Sequence, residues 1–297
     1  MTTPRWRVLS SSEQPLVATQ RWRLDLAYDG HAFHGFAFQP EYTTVVGVLR
    51  TTLASTLHMA EEPVIVGAGR TDAGVHAFAQ VVHVNLPTRL FAKDRGPDPE
   101  RLMMSLNKQL RGRIRVLAAR PVSEDFHARF SAQWRAYRYL VLEMTPPALG
   151  LTNAWSWTVE GPLDLDLMNR SCAQIIGTHD FRAFCRRPAN SEPDQPLRRR
   201  VIDAHWERLE DEWAMSPTHS PAARFTIRAQ AFCHNMVRSL TSTMVEVGQG
   251  RLDEDAVKDR LESRIRDHLP PPAPAGGLSL IGVGYEEFAG GPSGFVR

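Results

Sequence analysis

The sequence predicts an α+β protein in which two ferredoxin-like, RRM-like halves join into one extended, mostly antiparallel sheet with helices on one face. Three observations carry this. Between residues 21 and 120, strand-like and helix-like stretches follow the order β-α-β-β-α-β, the split βαβ arrangement. From about residue 121 to 288 the same order recurs without any repeat of sequence. The strands alternate apolar and polar residues, as expected where one sheet face is buried and the other is not. Residues 1–20, which show no period, read as an N-terminal arm, and residues 289–297 as a C-terminal tail.

Each element has its own warrant. Arg21 to Tyr28 places Trp22, Leu24, Leu26 and Tyr28 on one side and Arg21, Arg23 and Asp25 on the other. A loop rich in glycine, histidine and aromatic residues follows (Asp29 to Tyr42), and then Thr44 to Leu57 sets Val45, Val48, Leu49, Leu53 and Leu57 at helical spacing. Val64–Val66 and Gln80–Val84 are two short apolar strands around a glycine-rich stretch. Asp98 is placed to cap a helix with Pro99 in its first turn and Leu102, Met103, Leu106 and Leu110 on one face. Ile114 to Ala118 closes the half.

In the second half, Trp134 to Glu143 alternates with Tyr137, Tyr139 and Val141 on one face. Met168, Cys172, Ile175 and Ile176 mark a helix ending near Gly177. Val201–Glu207 and Arg224–Gln230 read as strands, His234–Glu246 and Asp253–Leu269 as helices, and Leu280–Tyr285 as the last strand. Arg186–Arg200, with three prolines and five arginines, reads as a long basic loop, and Pro270–Gly277 as a connector.

Composition sets the bounds. The chain has 297 residues, 42% hydrophobic and 23% charged, with a net charge of +2, so a core is expected and nucleic-acid binding is permitted without being demanded. No run reaches the roughly 18 apolar residues of a membrane helix, and the arginines near the N-terminus precede no apolar leader core, so no secretory signal is expected. Cys172, Cys185 and Cys233 are far apart and lack CxxC spacing, which argues against a disulfide framework or structural zinc and for a reducing cytoplasm.

The stretch Gly67–Ala77, GAGRTDAGVHA, concentrates the chemistry. It lacks the GxxxxGK[ST] of a P-loop, and its spacing with a following strand is not the dinucleotide fingerprint. Spacing alone leaves open a glycine-rich hairpin carrying a surface Arg–Asp pair. The chemical alternative is a carboxylate nucleophile, Asp72, kept ionised by a guanidinium, Arg70, which can also pair with a backbone phosphate. Tyr137 suits stacking on a flipped base, although a core tyrosine has the same pattern. Arg238 opens a helix among Met236, Val237 and Leu240 and needs a partner if buried; a solvated helix face would give the same sequence. In Asp125–Ala132, His127 and Arg129 alternate with Phe126, Ala128 and Phe130, consistent with a polar face near RNA or with ordinary strand patterning. His76 and His83 find no third ligand at sensible spacing, which favours hydrogen-bonding roles over a metal site.

Taken in order, these motifs resemble the tRNA pseudouridine synthase A family: YDG at Tyr28–Gly30, GAGRTDAGVHA followed by QVVH, SLN at Ser105–Asn107, DFHARFSA at Asp125–Ala132, YRY at Tyr137–Tyr139, MVR at Met236–Arg238 and EVG at Glu246–Gly248. The resemblance spans about Arg21 to Tyr285. It implies isomerisation of uridine to pseudouridine at positions 38 to 40 of the tRNA anticodon stem-loop, with no cofactor or metal. It also implies a homodimer with tRNA as its partner, the RNA lying across basic clefts built by both subunits. The family aspartate falls on Asp72, its stacking tyrosine on Tyr137, and the basic partner of the aspartate on Arg238. The chain departs from the pattern at Phe36 (usually Trp), Val46 (usually Gln) and His234-Asn235 (usually a basic or aromatic residue, then His). A non-catalytic RNA-binding module is the rival from another class, and it lacks the RNP-type aromatic signatures it would need.

Overall fold

The computed structural model describes residues 18–88, 98–143, 154–187, 192, 195–209, 221–266 and 269–286. Most of the expected N-terminal arm, the C-terminal tail and part of the Arg186–Arg200 loop therefore lie outside the described residues. Among them the strands are β1 (Thr19–Tyr28), β2 (Ile65–Gly67), β3 (His76–Pro87), β4 (Ile114–Pro121), β5 (Ala132–Glu143), β6 (Trp157–Val159), β7 (Gly177–Asp180), β8 (Arg198–Leu209), β9 (Ala222–Ala229) and β10 (Leu278–Tyr285). The α-helices are α1 (Val45–Leu57), α2 (Pro99–Leu110), α3 (Leu165–Ile175), α4 (Met236–Gly248) and α5 (Ala256–Ser263).

One sheet takes all ten strands, in the order β4-β1-β3-β10-β5-β9-β8-β7, with β2 on β3 and β6 on β5. Both halves show the ferredoxin-like strand arrangement. In the first, β4, β1, β3 and β2 are successive neighbours; in the second, β10, β5, β9 and β8 are. The pairings are antiparallel except β10 with β3 and β5 with β6. The two halves meet where β10 lies between β3 and β5. There Ser279 is opposite His76, and Leu280 is opposite both Ala77 and Tyr137.

The helices share one core with the sheet. Leu49 and Leu53 of α1, Leu102 and Leu106 of α2, Met168 of α3 and Leu240 of α4 join Trp22, Leu24 and Leu26 in a single buried cluster. A smaller cluster, Ala68, Val81, Phe126 and Ala128, forms separately, with Val81 projecting from β3 opposite to Val82. The caps follow the local chemistry. Thr44 accepts from the Gly47 N–H, Asp98 from the Arg101 N–H, and Asp164 from the N–H groups of Asp166 and Leu167.

Several expectations need correcting. The helix expected over Asp253–Leu269 is only Ala256–Ser263, closed by Arg264 in the left-handed region. Asp125–Phe130 forms turns, not a strand: His127 Nδ1 accepts from the N–H groups of both Arg129 and Phe130. Its apolar–polar alternation reflects Phe126 and Ala128 tucking under the turn. The basic end of the Arg186–Arg200 loop is the start of β8, pairing with β7. Cys185 and Cys233 are joined, with their Cα atoms 5.7 Å apart. Their 48-residue separation says nothing of distance in space, because the chain after β7 runs beside the entry to α4, where the Arg186 N–H donates to His234 O. Among the described residues, no helix is long and apolar enough to cross a membrane.

His83 has an energetic consequence. It is 6% exposed on β3, its Nδ1 accepts from the Ala128 N–H at 3.0 Å, and its ring meets Phe126 and His127 edge-on. Burial, then the nearby Arg21 and His127, push its pKa down to about 4. The unfolded chain takes up this proton near pH 6.5, whereas the folded chain does so only near 4. Stability is therefore complete above about pH 6.5 and is lost as the pH falls towards 4, by up to about 3 kcal/mol. Urea midpoints for wild type and His83→Gln between pH 7 and 4.5 should show a shallower acid slope in the variant; parallel slopes would remove His83 as the cause.

Candidate active site

The loop between β2 and β3 is held from several sides before any substrate arrives. Tyr28 Oη shares a hydrogen bond with Thr71 Oγ1 at 2.8 Å, and the Phe36 N–H donates to Thr71 O at 3.0 Å. Gln80 Nε2 donates to Gly69 O at 3.0 Å, and the Val75 N–H closes a turn onto Asp72 O. Two glycines of the first loop make this approach possible. A Cβ on Gly30 would lie 2.2 Å from Val75 O, and Gly35, at φ +98°, passes against the Thr71 carbonyl. Phe36 stacks on Tyr28 and lies against Gly67, where an added Cβ would sit 2.4 Å from the ring.

Asp72 is thereby presented at the loop apex with its carboxylate one-third exposed. Two nitrogen-bearing side chains, an arginine and a histidine, reach it from the other half of the molecule. Arg238 Nη1 lies 3.6 Å from Oδ2, and His234 Nε2 lies 3.5 Å from Oδ1. Arg238 is fixed by donating through Nε to Ala273 O at 2.6 Å and through Nη1 to Asn235 Oδ1 at 3.4 Å. Asn235 begins α4 at φ +66°, a left-handed conformation that asparagine tolerates better than most residues. Tyr137 is 8% exposed on β5, with Phe232 edge-on at 5.1 Å. Burial, with Tyr28 and Asp72 nearby, pushes its phenol far above the usual range, so it stays protonated at any working pH.

Of the residues singled out in the sequence, the structure brings Asp72 and Arg238 into ion-pair range and places Tyr137 in the electrostatic surroundings of Asp72. Arg70 is exposed and, among the described residues, forms no ion pair with Asp72. His234 was visible in the sequence only as a departure from the family pattern. Its signal was position: four residues before Arg238, it enters the helix that delivers Arg238.

His76 and His83 occupy hydrogen-bonding positions. His76 Nδ1 lies 3.1 Å from the Gly30 N–H and 3.2 Å from Asp29 Oδ1, Nε2 lies 3.0 Å from Ala154 O, and Trp155 stacks on the ring at 4.0 Å. With His31, these groups bring three ligand-type atoms within 4.8 Å of one another. Burial lowers the His76 pKa, and the neutral ring spends its Nδ1 lone pair on Gly30. The cluster thus reads as a tie between the first loop and the start of β3.

A family model described as tRNA pseudouridine synthase matches residues 26–131 and 172–286, which include Asp72, His234 and Arg238, while Tyr137 lies between the two matched segments. The chain belongs to the tRNA pseudouridine synthase family. Relatives named tRNA pseudouridine synthase A agree over nearly its whole length. The one from Cutibacterium acnes is 37% identical over 265 residues, covering 89% of this chain and 88% of its own. That from Caulobacter sp. strain K31 is 39% identical over 268 residues, covering 90% and 98%. That from Streptomyces griseus is 35% identical over 277 residues, covering 92% and 91%. As a pseudouridine synthase, the chain is an isomerase acting on RNA. Its reaction breaks the bond from ribose C1′ to uracil N1 and forms one to C5, with a proton leaving C5 and one gained at N1. The atoms balance within the substrate, so the site has only to detach, hold and turn a base.

Proposed function

We propose that this chain converts uridine to pseudouridine in the tRNA anticodon stem-loop, at positions 38 to 40, with Asp72 as nucleophile. The observation that carries the reading is the convergence on Asp72 of Arg238 and His234, from α4 and the segment before it, with Tyr137 alongside. An ionised Asp72 adds to C1′ or to the uracil ring, the base detaches, and after rotation it rejoins through C5. Arg238 and His234 flank the carboxylate and hold it in place for attack. Tyr137 offers a flat ring for the turned base. Arg70, exposed beside the nucleophile, is free to take a backbone phosphate. The enzyme works as a homodimer whose two subunits line the cleft for tRNA, a reading supported by the family resemblance.

The decisive experiment maps pseudouridine at single-nucleotide resolution in unmodified tRNA transcripts incubated with the protein. Modification at positions 38 to 40 is expected. Modification confined to other positions or to another RNA would overturn the substrate assignment while leaving the chemistry intact. A second measurement concerns the grip on phosphates. Arg198 and Arg200 are exposed at the start of β8, whereas Arg199 is half-buried. Replacing Arg198 and Arg200 by Gln should lower the slope of log K against log salt by roughly 0.7–0.9 for each phosphate no longer neutralised. An unchanged slope would take this strand end out of the interface.

A further inference from the structure

Arg135 precedes Tyr137 by two residues on β5, so the two side chains leave the same face of the strand. It is 7% exposed, and the titratable groups that face it are Tyr285, Tyr137 and Arg129, with no acid among them. Its N–H groups make five hydrogen bonds, all to backbone carbonyls. Nε and Nη2 donate to Ala68 O at 3.1 and 2.7 Å, and Nη2 donates to Arg129 O at 2.6 Å. Nη1 donates to Ala132 O at 3.0 Å and to Gln230 O at 2.8 Å. A guanidinium has five N–H donors, so the fork is saturated.

A buried cation without an anion is costly and is tolerated only where hydrogen bonds replace its hydration. What distinguishes these acceptors is where they belong. Ala68 opens the loop that carries Arg70 and Asp72. Arg129 and Ala132 bracket the turn into β5. Gln230 starts the segment that leads through Phe232 and His234 to Arg238. These pieces come from distant parts of the chain, and Arg135 is bonded to each of them.

We infer that Arg135 is a positioning residue for pseudouridine formation, its guanidinium setting the spacing between the Asp72 loop, the Tyr137 strand and the segment bearing His234 and Arg238. The inference rests on the proposed role of that site. Lysine cannot substitute, because a single ammonium on a flexible stem does not span four carbonyls.

The test compares full-length wild type with Arg135→Lys and Arg135→Ala. Steady-state kinetics on tRNA should show kcat falling roughly 10²-fold, as for an ångström-scale misplacement, with KM within about threefold. Millimolar methylguanidinium should restore part of the kcat of Arg135→Ala and none of that of Asp72→Asn. Amide exchange should quicken at Gly69–Asp72 and across 231–235 while β1 and β4 keep their protection. A Lys variant with wild-type kcat would overturn the inference. So would exchange that rises uniformly through the sheet, with kcat normal per folded molecule, because that marks a residue of general stability only. If wild type itself leaves tRNA unmodified, the proposed function fails, and the localised exchange pattern still decides whether Arg135 holds these segments.

Discussion

Asp72→Asn should lower the rate of pseudouridine formation by roughly 10⁴-fold or more, the scale of losing a nucleophile for which no neighbouring group can stand in. The amide is nearly isosteric, but it cannot supply the electron pair that opens the reaction. The fold should tolerate the change. Asp72 is not a core residue, and its backbone is held by the bond from Val75 to its own carbonyl. Removing the charge costs only the attraction to Arg238 and His234, which are 3.6 and 3.5 Å away and partly in water. The expected change in stability is therefore within about 1 kcal/mol. Single-turnover assays with urea unfolding alongside separate the two effects. A variant that is folded and within tenfold of wild type would end the nucleophile assignment.

Tyr137 gives the second large effect, and its two substitutions should part company. Tyr137→Phe keeps the ring against Phe232 and should stay within about tenfold of wild type, because burial keeps the phenol protonated and makes the phenolate unusable as a base. Tyr137→Ala removes the stacking surface. Base–aromatic stacking is worth about 1–3 kcal/mol, so a loss on the order of 10²-fold is expected, together with a cavity costing about 3–5 kcal/mol of stability, as for other aromatic-to-alanine changes. Both variants must be compared per folded molecule. Equal and severe losses in Phe and Ala would instead assign the work to the hydroxyl.

Much of this architecture was legible because local pattern and tertiary environment agree. The alternation of Trp22, Leu24, Leu26 and Tyr28 is the buried face of β1, and Asp98-Pro99 does start α2. The errors fall where long-range packing, not local sequence, decides. The Asp125–Phe130 turns borrow their shape from His127 and from His83 on another strand. The Cys185–Cys233 pairing depends on where two distant segments pass. At the site, spacing alone left a glycine-rich hairpin open, and the family resemblance pointed to Asp72 with Arg238 as its basic partner. Of the two arginines expected beside the carboxylate, Arg238 lies within ion-pair range and Arg70 does not, while His234, expected only as a departure from the pattern, also meets it. Arg135 carried no signal at all: a lone arginine in an alternating strand looks solvated until its carbonyl acceptors are known.

The place of β10 has a consequence for how the enzyme comes into being. Its residues Leu278–Tyr285 are the last strand described, yet they fill the middle of the sheet, between β3, which follows the Asp72 loop, and β5, which carries Tyr137. During synthesis the first ferredoxin-like unit can collapse early, as domains do on the ribosome, with Asp72 already in its loop. Its counterparts on β5 and α4 have no fixed distance from it until the final strand slides in and is paired on both sides. On the proposed mechanism, a chain lacking β10 would hold Asp72 in its loop without the sheet pairing that ties it to β5. Competence then waits on that one strand being paired on both sides.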